Sequence, residues 1–365
     1  MIKSAVGVTR YALFFLLAGL VLTSISCMAV SQIFFVTPAT PAFRQFTLSP
    51  TPSAVPATPS AATIACPDGD CITACVAQLS AITQSGAASP GGSKSVRRDF
   101  GGEEGYVLAS YNISGDQIQN LDTSIAIPKN LKVYQEDISS QKRIWNYFAA
   151  IIPLEQRSFL DQYDVFTDGR DNILASVSQS ETDMGRWVLT VDIMDAANPQ
   201  DLTYTLLHEF GHLLTLNPSQ VKPSVRVFNN PNSEKVYQQE ADACTTYFPD
   251  DGCSAPDSYI NKFFERFWVD IYAEWYKIDS IQEQSRYEAA LEKFYNKHKD
   301  QFVTDYAPTD PAEDIAETFS FFIIQPNPTG DSIADQKVNF LYNFPELVQL
   351  RSQIGQRLCG QIEKK

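Results

Sequence analysis

Five consecutive residues, His208-Glu209-Phe210-Gly211-His212, place two of the chain's three histidines four positions apart. On a helix, residues with that spacing lie one above the other on a single face. Both imidazoles can then reach one metal ion, and Glu209 projects beside it, where its carboxylate can take a proton from water. The alternative is a pair of structural histidines on a half-buried helix. The flanks support the helix itself. Asn198-Pro199 supplies an N-cap and the proline favoured at the first helical position, and acidic Asp201 falls in the first turn. Leu202, Leu206, Phe210, Leu213 and Leu214 recur at helical spacing, and Asn217-Pro218 stops the run. The apolar stripe is expected to face a core and leave the histidine face to line a cleft. Gly211 is unfavourable inside a helix, so either something passes close to the backbone there or the glycine is merely tolerated.

A catalytic metal usually takes three protein ligands and a water. Thr215 and Pro218 stand where a downstream glycine and a third histidine would continue the motif, so that arrangement is excluded. His298, the remaining histidine, lies in the charged stretch Tyr295-Asn296-Lys297-His298-Lys299-Asp300 and reads as a surface residue. A better candidate lies in residues 306–317. Asp310-Pro311 can open a helix, and Glu313 and Glu317 then share a face one turn apart. Glu313 could instead be the reciprocal glutamate of a capping box with Asp310. That reading accounts for Glu313 alone, and not for its combination with Glu317 and Tyr306.

His208-Glu209-x-x-His212 followed by a helix bearing Glu-x-x-x-Glu resembles the gluzincin metallopeptidases, the broad group containing thermolysin. The downstream pattern is more similar still to the lethal-factor-like branch of bacterial zinc peptidases. There a tyrosine precedes the ligand glutamate by seven residues and Ala-Glu follows it, as Tyr306, Glu313, Ala316 and Glu317 do here. The resemblance implies that zinc is held by His208, His212 and Glu313, that Glu209 is the general base, and that Tyr306 donates to the reacting carbonyl oxygen. Glu317 would orient a ligand imidazole through its other ring nitrogen. The implied activity is hydrolysis of peptide bonds in a peptide or protein substrate, with one Zn2+ per chain. The likeness covers the two motif helices and their approach, so substrate-site details do not follow from it. Two other readings of the same residues are a non-catalytic metal-binding surface scaffold and a cell-wall peptide hydrolase.

The first segment points outside the cytoplasm. Lys3 and Arg10 precede a largely apolar run over residues 11–36, long enough to span a bilayer. It reads as a retained anchor, as a signal peptide with a shorter apolar core, or as a lipoprotein signal ending at Cys27, although Ser24 stands where leucine is usual there. Residues 37–64 form a Pro/Ser/Thr-rich tether that cannot bury a core. All three options place the remainder at the cell surface or free outside it. Cys66, Cys71, Cys75, Cys244, Cys253 and Cys359 make an even set for disulfides in such a compartment, and Cys244 and Cys253 flank a short acidic loop and are expected to pair.

Residues 65–105 read as a cysteine-bearing cap with a Gly/Ser-rich loop, and residues 106–365 as the peptidase domain. A helix is expected over 143–152 and strands over 163–167, 174–179 and 186–194. The last of these, just before the motif helix, is the candidate edge strand for pairing with an extended substrate, or else an interior strand. Helices are expected over 257–276, 280–300, 310–324 and 332–358, with the aromatic series from Phe263 to Tyr276 packing the core. The class is therefore α+β, with a small N-terminal sheet and a mostly helical C-terminal half. In the zinc-peptidase resemblance this is a zincin-like domain. A net charge of −15 argues against nucleic acid and against anionic membrane surfaces as partners.

Overall fold

A computed structural model describes residues 105–169, 173–249 and 251–362, together with Ile82. The described residues belong to one compact unit; the second unit, Ala12–Ile64, lies outside them. So do the expected anchor and tether and, apart from Ile82 and Gly105, the cysteine-bearing cap, with Cys27, Cys66, Cys71 and Cys75. No helix among the described residues is long and apolar enough to cross a membrane.

The N-terminal half is a mixed five-stranded sheet. Its strands are β1 (Tyr106–Ser114), β2 (Gln117–Asp122), β3 (Leu160–Thr167), β4 (Ala175–Gln179) and β5 (Trp187–Asp192), in the spatial order β2-β1-β3-β5-β4. β1 and β2 form a hairpin turned at Gly115, whose φ of 63° is cheap only for glycine. β5 runs parallel to β3 and antiparallel to β4. Helix α1 (Ile138–Ile151), capped by Asp137 accepting from Ser140 N at 2.9 Å, buries Ile144, Trp145, Phe148 and Ile151. The Trp145 ring packs 5.5 Å from that of Tyr163 on β3.

Residues 186–194 take the interior place and not the edge: β5 lies between β3 and β4, and the edge strand on that side of the sheet is β4. The chain passes outward from β3, forms β4, then returns through a turn to fill the gap. Five of the six β5 residues are buried, so both of its faces are covered, as an interior strand requires. β4 packs against the motif helix, α2 (Pro199–Leu216).

Helix α2 has the expected ends. Asn198 caps it by accepting from Gln200 N at 2.9 Å, and Asn217 closes it, its side-chain amide donating to the otherwise open carbonyls of Leu213 and Leu214. Next come the two-stranded ribbon β6 (Val221–Pro223) and β7 (Gly252–Ser254) and, between them, α3 (Glu234–Ala243). Cys244 and Cys253 are joined in this excursion, and Cys359 is also disulfide-bonded.

The remainder is helical: α4 (Tyr259–Phe267), α5 (Val269–Asp279), α6 (Gln284–Lys297), α7 (Pro311–Ile324), α8 (Ile333–Leu341) and α9 (Pro345–Ile362). Two helices expected to be continuous are broken. The first divides at Trp268, which ends α4 and begins α5 while its fully buried indole donates to Asp314. The second divides before Pro345, which lacks the N–H to continue α8 and starts α9 instead. The class is α+β; of the expected aromatic series Phe263, Phe267, Trp268 and Trp275 lie in the core, Phe264 and Tyr272 are partly buried against it, and Tyr276 is exposed.

Candidate metal centre

The centre is built where α2 crosses α7. An alanine methyl placed at Gly211 would lie 3.1 Å from the Cα of Ala316 and 3.4 Å from its carbonyl oxygen. Gly211 therefore lets the two backbones approach, which answers why a helix interior carries it. Gly211 sits between His208 and His212, and Ala316 sits between Glu313 and Glu317. A small residue at the crossing on each helix brings one helix's carboxylates to the other's imidazoles.

α7 starts as its sequence implied, with Asp310 accepting from Ala312 N at 2.7 Å and Pro311 at the first position. Glu313 does not turn back to complete a capping box. Its Oε2 lies 2.9 Å from His208 Nε2 and 3.2 Å from His212 Nε2, and the two ring nitrogens are 3.0 Å apart. Bonds of about 2.0–2.1 Å in a tetrahedral site place ligand atoms about 3.3 Å apart. The observed triangle is within a few tenths of an ångström of that spacing. His208, His212 and Glu313 thus form a largely buried group that can bind a metal ion.

The donor chemistry fits a cation. Glu317 Oε1 lies 2.7 Å from His208 Nδ1, while its Oε2 accepts from the Tyr204 hydroxyl at 2.7 Å and the Thr304 hydroxyl at 2.6 Å. With hydroxyl donors on one oxygen, Glu317 acts as an acceptor for the imidazole, so His208 carries its proton on Nδ1 and presents Nε2 inward. That leaves Nε2, the facing imidazole nitrogen and the Glu313 oxygen crowded together, which calls for positive charge between them. Burial lowers the His208 pKa, but Glu313 and Glu317 outweigh it and hold it well above the ordinary value. Burial likewise works to raise the Glu313 carboxyl, and the imidazoles of His212 and His208 overcome it and hold the group below the usual carboxylate range. His212 Nδ1 is buried with no hydrogen-bond partner among the described residues.

Glu209 lies beside this group. Burial pushes its carboxyl up to about 7 against the pull of the two imidazoles, and its Oε2 accepts from Val177 N on the edge strand at 2.9 Å. Tyr306 is buried with its ring centroid 5.8 Å from that of His208, so it too belongs to the same region. His298 takes no part in the group. It is also less solvated than its charged neighbours suggested: its side chain is 13% exposed, pairing with Glu274 and packing on Phe294.

Three contributors escaped the sequence reading. Tyr204 stands four residues before His208, on the same helix face, so helical periodicity could have found it. Thr304 and the backbone amide of Val177 carry no local signal, because their roles arise from chain segments that meet only in the fold. No family model matches the chain, and no match was found among curated proteins or solved structures.

Proposed function

We propose that this chain is an extracytoplasmic zinc metallopeptidase of gluzincin type with a zincin-like fold. The observation that carries the reading is the convergence of His208, His212 and Glu313 on one point, with Glu209 alongside and tied to an edge strand. Two histidines and a carboxylate suit zinc and leave a fourth position open. A bound zinc ion would supply Lewis acidity, acidifying water and polarising a substrate carbonyl.

The chain's own groups account for the remaining chemistry. Glu209 accepts the proton of the attacking water and passes it to the leaving nitrogen. A carboxyl raised toward neutrality by burial suits both halves of that task. Tyr306 donates to the developing oxyanion. Glu317, held by Tyr204 and Thr304, keeps the His208 tautomer that directs Nε2 inward. Along β4, Leu174 and Ser180 bond toward β5, so the alternate positions Ala175, Val177 and Gln179 direct backbone groups outward. An extended substrate would pair along that outer edge. It would find the Val177 amide already engaged by Glu209.

A metal site kept only for structure requires neither Glu209 nor Tyr306 beside it, which weighs against a scaffold. The apolar N-terminal run and the tether after it favour a site held at the cell surface. The test is incubation of the purified protein with a diverse peptide mixture, with and without a chelator. Cleavage that the chelator stops and added zinc restores supports the proposal; cleavage indifferent to metal removal contradicts it.

A further inference from the structure

Behind the glutamate side of the centre lies a charge pair that the proposed chemistry does not use. Lys337 on α8 and Asp314 on α7 are both fully buried, with Nζ 2.6 Å from Oδ2. The Trp268 indole donates to the same oxygen at 2.8 Å. The ammonium sits among aromatic rings, 4.1 Å from the Phe302 centroid and within 5.7–5.9 Å of those of Phe263, Phe267 and Trp268. Asp314 Oδ1 has no hydrogen-bond partner among the described residues. A buried pair so incompletely satisfied is poor value as a source of stability, since apolar groups of similar size often serve as well or better.

Its location suggests a different role. Asp314 follows Glu313 directly, about 100° around α7. Phe302 lies on the segment that delivers Thr304 and Tyr306. Lys337 therefore touches both chain segments that supply the non-histidine side of the centre, and Trp268 adds the α4–α5 junction. On the α2 side, α7 is held by the close Gly211–Ala316 approach, by the Phe210–Phe319 ring contact at 5.7 Å and by the hydrogen bonds of Glu317 to Tyr204 and His208. A Glu carboxylate extends about 6 Å from its helix axis, so turning α7 by about 10° would move Glu313 by about 1 Å. Metal ligation tolerates about 0.2 Å. Contacts on one side leave the helix a pivot, and the polar contacts of Asp314 with Lys337 and Trp268 restrain it from the side away from α2.

We propose that Lys337 and Asp314 are a positioning pair, which sets the rotation of α7 and the course of residues 302–306 and so fixes Glu313 and Glu317 for metal binding and Tyr306 beside them. The proposal rests on the metal-centre reading above. Its test is zinc affinity, by competition with a chromogenic chelator, for the full-length parent, Lys337→Met, the double variant Lys337→Met/Asp314→Leu, and His208→Ala. Melting of each metal-free protein is measured alongside. Removing both charges leaves the net charge unchanged, so long-range Coulomb effects cancel. The expected result is a double variant that melts at or above the parent temperature yet binds zinc at least about tenfold more weakly, within the range seen when groups supporting metal ligands are lost. Parent-like zinc affinity in the double variant, with His208→Ala having lost it, would overturn the positioning role alone. Zinc binding indifferent to His208→Ala would overturn the metal centre and this proposal together.

Discussion

Replacing Gly211 with alanine sets two opposing effects against each other. In an unobstructed helix the change should stabilise by about 1 kcal/mol, because alanine loses less backbone entropy on folding. Here the new methyl would meet Ala316 at 3.1 Å (Cα), 3.3 Å (Cβ) and 3.4 Å (O). Two of those three atoms are backbone and cannot rotate away, so α7 itself must retreat by a few tenths of an ångström. Overpacking of this kind typically costs about 1–3 kcal/mol. The net effect on stability is thus from about zero to about 2 kcal/mol unfavourable. The effect on the metal is larger in proportion, because a retreat of that size already exceeds the roughly 0.2 Å tolerance of a ligand. The expected outcome is a small change in urea midpoint for the metal-free protein and at least a tenfold loss of zinc affinity. Adding Ala316→Gly should recover only part, since the Cα and carbonyl contacts remain. A Gly211→Ala protein that is more stable and binds zinc like the parent would refute the close-crossing argument.

Glu317→Gln should weaken zinc binding about 10- to 100-fold in chelator competition, with Tyr204→Phe and Thr304→Val smaller in effect, because each removes one of the groups orienting His208; equal affinity in all three would contradict that network. Burial raises the carboxyls of Glu209 and Asp192 to about 7 and that of Asp314 to about 6, so the folded metal-free protein holds protons that the unfolded chain has released. Its stability should therefore fall as pH rises from about 5 to 7, and the raised His208 pKa adds loss in the same direction above about 6.5; melting temperatures that stay flat or rise over that interval would oppose the assignment. Breaking the Cys244–Cys253 bridge as a double serine variant reopens a short loop worth about 2–3 kcal/mol of chain entropy. It should lower the melting temperature while leaving zinc affinity intact, and a parallel loss of both would place that excursion in the site.

The parts legible in advance were those with local signatures. Asn198-Pro199 and Asn217 bounded α2, Asp310-Pro311 opened α7, and the spacing of His208, His212, Glu313 and Glu317 placed four side chains on the two facing helices. The short separation of Cys244 and Cys253 foretold their bridge. What stayed hidden depended on pairing between distant segments. Which of two adjacent strands forms the edge is decided by the return of the chain between β3 and β4, and the only local hint is the denser apolar run of β5 beside the Ser- and Gln-bearing β4. The break at Trp268 follows from an indole reaching across to Asp314, 46 residues away in the chain. β1 and β2 were missed because few of their residues are deeply buried and alternation is correspondingly weak.

The most direct test of the central claim compares the parent with Glu209→Gln for zinc content and peptide cleavage in the same preparations. The proposed ligands His208, His212 and Glu313 are untouched by this change, and glutamine keeps an oxygen to accept from Val177. The account predicts one zinc per chain in both proteins, with cleavage in the parent and a loss of at least a hundredfold in the variant, as expected for removal of a general base. Equal cleavage by the two proteins, with zinc bound in both, would contradict it.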